Sequence, residues 1–197
     1  MIANNNMHLG GAVDSDGSDK LARFAQICDC WNIPVLTLVD TPGMMVGPEV
    51  EKTALVRHCH RVFVSLANLT TPKMTITLRK CYGLGGLAML AGSTEAGLFN
   101  VGWPTSEYGG MNLEAGVKLG ARAQLEKIED LEERTRVYEE MVADAYERGN
   151  AVNAATVLES DDVIDPAETR QWILRLLDAV PNSEPIREGR RPYIDSW

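Results

Sequence analysis

Leu78-Arg-Lys-Cys-Tyr-Gly-Leu-Gly-Gly-Leu-Ala-Met-Leu-Ala-Gly-Ser93 is the stretch whose reading decides the fold. It follows a strand-like run, Met74-Thr-Ile-Thr-Leu78, and leads into Leu87-Ala-Met-Leu-Ala91, which suits the start of a helix. Gly83, Gly85 and Gly86 lie between them. Glycines at such a junction let the backbone turn tightly and approach a ligand closely. The first amides of the helix have no partner inside it and point outward at its positive end. Such donors stabilise a carbonyl oxygen that gains negative charge. A plain βα turn, with glycine used for packing, is the simpler reading of the same spacing. The cluster fits neither the dinucleotide-binding nor the Walker A pattern.

Upstream, Val35-Leu-Thr-Leu-Val39 is a continuous apolar run, as expected of a parallel strand buried on both faces. Asp40-Thr-Pro-Gly43 breaks it and opens a loop through Gly47-Pro48. Glu49 to Ala67 reads as one helix, with acids in its first turn and Leu55, His58, Val62 and Leu66 as its stripe. Before the apolar strand, Gly10–Gly17 is a polar loop, and Ser18 is the expected N-cap of a helix carrying Leu21, Phe24, Ala25, Ile27 and Cys28. Strand alternating with helix is an α/β pattern with right-handed crossovers. The Asp40–Pro48 loop and the Gly83–Gly86 turn both follow strands, so they are expected on one edge of the sheet, where α/β ligand sites form.

Downstream, a short strand is expected near Phe99–Trp103, a glycine-containing loop at Glu107–Met111 and a short helix at Leu113–Leu119. From Arg122 to Arg148, Leu125, Ile128, Leu131, Val137, Tyr138, Met141, Val142, Ala145 and Tyr146 recur at helical spacing among charges. That predicts a long amphipathic helix, or two with a break near Glu129-Asp130, facing the core on one side and water on the other. Thr156–Ile164 reads as a short extended piece, and Asp165-Pro166 starts a helix through Leu177. The tail from Pro181 is rich in proline and arginine and lacks core periodicity.

The chain has 197 residues, 45% hydrophobic and 24% charged, which suits an ordinary globular domain. Its net charge of −9 disfavours nucleic acid and anionic membrane as partners. No apolar run approaches the ~20 residues needed to cross a bilayer, and a cytoplasmic location is the expectation. Cys28, Cys30, Cys59 and Cys81 lack metal or disulfide spacing, so they are expected as reduced, mostly buried thiols. His8, His58 and His60 have no nucleophile motif beside them and suit packing or surface use. Asp14, Asp16 and Asp19 lack an EF-hand's glycine and terminal glutamate, so turn formation and capping explain them better. Glu49 and Glu51 open a helix, where dipole complementation is their default role. The residue chemistry by itself therefore stops at a backbone-amide site in an α/β domain without a metal.

Several ordered stretches together carry a family likeness. They are Ala3-Asn-Asn, His8–Asp14, Ser18–Phe24, Cys28-Asp29, Ile33-Pro34, Leu38-Val-Asp-Thr-Pro-Gly43, Gly47–Glu51, Arg57-His58, Arg79-Lys-Cys-Tyr-Gly83, Trp103-Pro-Thr105 with Glu107, and Asp161–Pro166. The chain resembles the carboxyltransferase component of biotin-dependent acyl-CoA carboxylases of the acetyl-/propionyl-CoA type, over nearly all its length. The resemblance implies a crotonase-like (ClpP/crotonase) ββα superhelix. It matches only the C-terminal, biotin-side half of that component, so residues 1–197 are expected as a half-domain without the N-terminal CoA-binding half. Met1-Ile-Ala reads as the end of a strand whose beginning is missing, as in an excised domain, a shortened reading frame or a split polypeptide.

The reaction implied moves CO₂ from carboxybiotin to the α-carbon of acetyl-CoA or propionyl-CoA, with little activity expected of the half alone. The family builds an oxyanion hole from glycine-rich backbone on each half, and the resemblance places this half's donors at Gly83, Leu84 and Gly85. Gly43, Met44 and Gly86 fall on the biotin side, and Leu87 where the family varies acyl-chain choice. Members commonly read Tyr-Gly-Gly-Ala or Tyr-Gly-Gly-Ser; Leu84 here stands at a glycine position and still offers an N–H. Implied partners are the N-terminal half, the biotin carboxyl carrier protein, biotin carboxylase and further copies of the chain. A biotin-dependent acyl-CoA decarboxylase subunit and a non-catalytic assembly module of the same fold are the alternatives.

Overall fold

The apolar runs Val35–Val39 and Met74–Leu78 become neighbouring central strands in a computed structural model that describes residues 1–92, 94, 96–180 and 194. β1 (Ile2–Ala3), β2 (Val35–Thr41), β3 (Lys73–Tyr82), β4 (Phe99–Gly102) and, beyond β4, the strand Asp162–Val163 lie side by side, all parallel. β5 (Glu107–Gly109) is a further parallel partner of β3, which makes Asp162–Val163 β6. β3 runs for ten residues because it serves two neighbours. Met74–Thr77 pair with β4, and Lys80–Tyr82 with β5.

One face of the sheet is covered by α1 (Ser15–Cys30) and α3 (Leu55–Ala67). Leu21, Ala22, Ala25, Val62 and Leu66 pack there with Val39 and Cys81. Burying one such aliphatic side chain contributes about 1.5–3 kcal/mol. Asp19 ties the two helices together, its carboxylate meeting His58 Nδ1 at 2.8 Å and Arg61 at 3.0 Å. On the other face Met74, Ile76, Phe99, Val101 and Ile164 receive Trp172, Ile173 and Leu176. The Phe99 and Trp172 rings meet edge to face at 5.8 Å. The last three residues lie on the C-terminal helix, Thr169–Ala179, in which no residue is buried. Asp161–Pro166 closes the sheet: the Asp161 amide donates to the Asn100 carbonyl at 2.7 Å, and the Asp161 carboxylate accepts from the Asn100 amide at 2.7 Å.

The remaining helices are α2 (Pro48–Glu51), α4 (Gly83–Met89), α5 (Leu113–Gly120), α6 (Arg122–Leu125), α7 (Leu131–Gly149) and α8 (Ala151–Thr156), so the C-terminal one is α9. Several expectations change. Ser18 is fully buried within α1, and the cap is Asp14, whose side chain accepts from the Gly17 amide at 2.8 Å. The expected helix 49–67 is two, parted where Ala54 takes a left-handed φ of 58°. Glu107–Gly109, expected in a loop, pairs as β5. Thr156–Ile164 is mostly turn, extended only in β6, and a helix precedes it, capped by the Asn150 side chain on the Asn153 amide. The 122–148 stretch breaks as expected near Asp130, which caps α7, but α7 buries no residue and so does not face a core. The tail from Pro181 lies outside the described residues, Ile194 excepted. Among the described residues, no helix is long and apolar enough to cross a membrane.

Candidate active site at the glycine turn

Three segments that leave the sheet at the carboxyl ends of β1, β2 and β3 converge, as parallel topology requires. Gly43 is where they meet. Its carbonyl accepts from the Val13 amide at 3.0 Å, and Val13 in turn accepts from the Met45 amide at 2.9 Å. Thr41, buried at the end of β2, takes the Gly43 amide on its hydroxyl oxygen at 3.1 Å. Gly43 holds φ at 124°, in the region that favours glycine.

The turn after β3 sits directly on this hub. A Cβ at Gly85 would overlap the Gly43 carbonyl carbon and lie 2.6 Å from its Cα, so backbone lies on backbone. At Gly86 a Cβ would meet the Cys81 sulfur at 2.8 Å. Gly83 turns the chain with φ at 54°. Leu84 and Leu87 are 60% and 36% exposed, and Val46, in the loop after β2, is exposed as well. Met44 and Met45 are half-buried. Met44 is held from behind, its thioether accepting from the Cys59 thiol at 3.3 Å. The structure thus brings Gly43, Met44, Gly83, Leu84, Gly85, Gly86 and Leu87 together at one edge.

Chemically, the turn offers donors and little else. Tyr82, the residue before α4, makes no side-chain bond to the helix's free amides. Those first amides therefore remain the local positive end. The nearby thiol is inert: burial pushes the Cys81 thiol up to about 12, and burial likewise raises Cys59. Burial, then the Glu107 carboxylate, raises the Tyr82 phenol, which donates to Glu107 Oε2 at 2.5 Å. Among the described residues no cluster of three His, Cys, Asp or Glu side chains could hold a metal ion.

Two supporting groups carry no helical or strand signature and escape a reading by pattern. Asp40 accepts from Asn6 Nδ2 at 2.5 Å, from Arg79 Nη2 at 3.1 Å and from the Lys80 amide at 3.2 Å. That joins the loop after β1 to the far half of β3. The second group is the Tyr82–Glu107 pair. Only the appearance of Asp40, Arg79, Lys80, Tyr82 and Glu107 in the quoted motifs hinted at either.

The carboxyl transferase domain family matches residues 1–187. The propionyl-CoA carboxylase beta chain of Cereibacter sphaeroides is 33% identical over 187 residues, covering 93% of this chain and 35% of its own. The methylmalonyl-CoA decarboxylase subunit alpha of Propionigenium modestum is 34% identical over 190 residues, or 95% of this chain and 35% of its own. A solved single-chain, multi-domain long-chain acyl-CoA carboxylase is 49% identical with a TM-score of 0.78, over 88% of this chain and 17% of that one. The hexameric transcarboxylase 12S structure gives 29% identity and a TM-score of 0.81 over 96% of this chain. The chain spans about a third of the length of the curated relatives it matches. The sheet and its helices have the crotonase-like α/β fold of these carboxyltransferases.

Proposed function

This chain belongs to the carboxyl transferase domain family, and we propose that it forms the biotin-side half of an acyl-CoA carboxyltransferase. Its partner would be a CoA-binding half, with carboxybiotin delivered by a carrier protein charged by biotin carboxylase. The family match supports this over nearly the whole chain. The turn seated on Gly43 supports the placement of the site. Gly85 lies against the Gly43 backbone and Gly86 against Cys81, which leaves the solvent side of the turn, at Leu84 and Leu87, as the face a flat, polar ring could approach. Biotin on its carrier supplies the carboxyl group when bound.

The chain's own contribution is positional. The amides of Leu84 and Gly85, with Gly83 setting the turn, hold negative charge as it gathers on a carbonyl oxygen. Gly43 and Gly86 keep the surface close, Met44 lines it, and Leu87 stands at the rim where the acyl group would pass. No side chain of the site is assigned a proton transfer. Val46, Leu84 and Leu87 expose apolar surface together, which suits an interface with the CoA-binding half or a second copy.

Acyl length has a second reading. The 49% identity to a long-chain acyl-CoA carboxylase exceeds the 33% to a propionyl-CoA carboxylase and favours a long chain over acetyl or propionyl. A carboxyl-transfer assay with the CoA-binding half added and withheld tests the whole proposal, run on acetyl-, propionyl- and long-chain acyl-CoA. Transfer should need both halves. A chain that neither binds the other half nor gains transfer from it belongs to a non-catalytic module. Net loss of CO₂ from a malonyl-type thioester would assign the decarboxylase direction.

A further inference from the structure

We propose that the Tyr82 hydroxyl and the Glu107 carboxylate form a latch that fixes the backbone leading into the Gly83–Leu84–Gly85 turn, so that both are positioning residues of the site. The inference rests on the reading of that turn given above. Tyr82 is the last residue of β3 and α4 starts at the next, so any play at Tyr82 passes straight into the donors. Its side chain is 1% exposed, and its hydroxyl donates to Glu107 at 2.5 Å. Hydrogen bonds to a carboxylate are roughly twice as strong as neutral ones.

The turn needs such support because it has little of its own. No side chain caps α4, and Gly83 is the least restrained residue type in a left-handed conformation. Glu107 is well placed to give it. It lies opposite Lys80 in β5, a diagonal neighbour of Tyr82, and its backbone also bridges to Asn150, the cap of α8. The same short segment closes the other side, since a Cβ on Gly83 would lie 3.0 Å from the Gly110 carbonyl oxygen. Tyr82 and Gly83 are thus gripped in succession by Glu107 and Gly110. A donor displaced by about 1 Å can lose a hundredfold in rate, so the grip has a catalytic consequence.

The test uses Tyr82→Phe, Glu107→Ala and Glu107→Gln. Amide exchange in the full chain is read at Leu87 and Ala88, the first amides that the ladder of α4 protects. Transfer is read in the complete carboxylase. Tyr82→Phe and Glu107→Ala should each speed exchange about tenfold and lower kcat about tenfold at unchanged KM, corresponding to ~1.4 kcal/mol. The double variant should be no worse than either single one. Glu107→Gln, which keeps an acceptor, should stay within about twofold of the parent. Unchanged exchange in both Tyr82→Phe and Glu107→Ala overturns the latch, whatever the transfer rate. Faster exchange with an unmoved kcat supports the latch and instead removes the turn from the oxyanion role.

Discussion

At the glycine turn, backbone lies on backbone; along α7, nineteen residues pass without one being buried. Both regions flank β5, yet they are built on opposite principles. The turn is packed within this chain, Gly85 and Gly86 being glycine because a Cβ would strike Gly43 and Cys81. α7 holds its shape by surface pairs, with Arg136 bonded to Glu133 and Glu140 at 2.7 Å and Arg148 to Asp144 at 2.6 Å. Exposed pairs of this kind are screened by solvent and add little to stability. Its apolar residues, among them Val137, Tyr138, Met141 and Val142, are only half-covered. The contrast teaches that the site edge is rigid by exclusion, whereas the arm made by α5, α6 and α7 is amphipathic without a core to face.

The largest expected effect measures that difference directly. Met89, in α4 behind the turn, is 1% exposed and packs in the main core. Met89→Ala should cost about 2–5 kcal/mol in urea unfolding. Met141→Ala, on the half-covered face of α7, should cost less than about 1 kcal/mol. Equal costs would break the comparison.

Next is Leu84→Pro, which removes one amide donor and leaves an exposed side chain's place empty. Proline suits the first turn of a helix, so the fold should persist while transfer in the complete enzyme falls about a hundredfold, or ~3 kcal/mol. Leu87→Ala should change acyl-CoA preference more than the rate with the best substrate. Unchanged turnover in Leu84→Pro takes the oxyanion role away from this turn.

Gly85→Ala sharpens the steric side. Its Cβ would meet Gly43 backbone atoms that cannot rotate away, so a loss of about 1–3 kcal/mol is expected. Gly120→Ala, at the end of α5 with nothing within 4 Å, should be neutral or gain up to about 1 kcal/mol. Thermal or urea midpoints of the two variants, side by side, decide whether exclusion or mere glycine content sets the rigidity of the turn.

The sequence showed the rigid half of this contrast better than the open half. β2, β3 and the glycine turn are legible because a buried parallel strand must be apolar throughout and a backbone contact must be glycine. What escaped was decided by tertiary contacts. Asp14 wins the cap of α1 over Ser18 although both are good capping residues, because it also meets His8 at 3.0 Å. Ala54 carries no sign of its left-handed turn. β5 has three residues, one of them glycine, and exists as a strand because β3 is long enough to pair with it. The periodicity of α7 was read correctly as amphipathic, but periodicity cannot say whether the apolar stripe meets its own chain.

The smallest predicted effect separates the two regions by pH. Asp14 is tied into the loop that holds Gly43 through its neighbour Val13. Burial acts to raise its carboxyl, but hydrogen bonds from His8 and the Gly17 amide outweigh that and leave it below the usual range. A folded-state value below the unfolded one stabilises the protein at pH above the ordinary carboxylate value of about 3.9, and the contribution disappears as pH falls through the folded value. Asp14→Asn keeps a good cap and loses the charge. The parent should therefore exceed Asp14→Asn by less than about 1 kcal/mol at about pH 6, and the gap should close as pH falls through the folded value. At about pH 6, raising salt should weaken the exposed ion pairs of α7 and leave the backbone contact of Gly43 with Gly85 untouched. Urea titrations of parent and variant across that range read both arms at once, and a gap that widens on acidification would show the Asp14 charge opposing the fold.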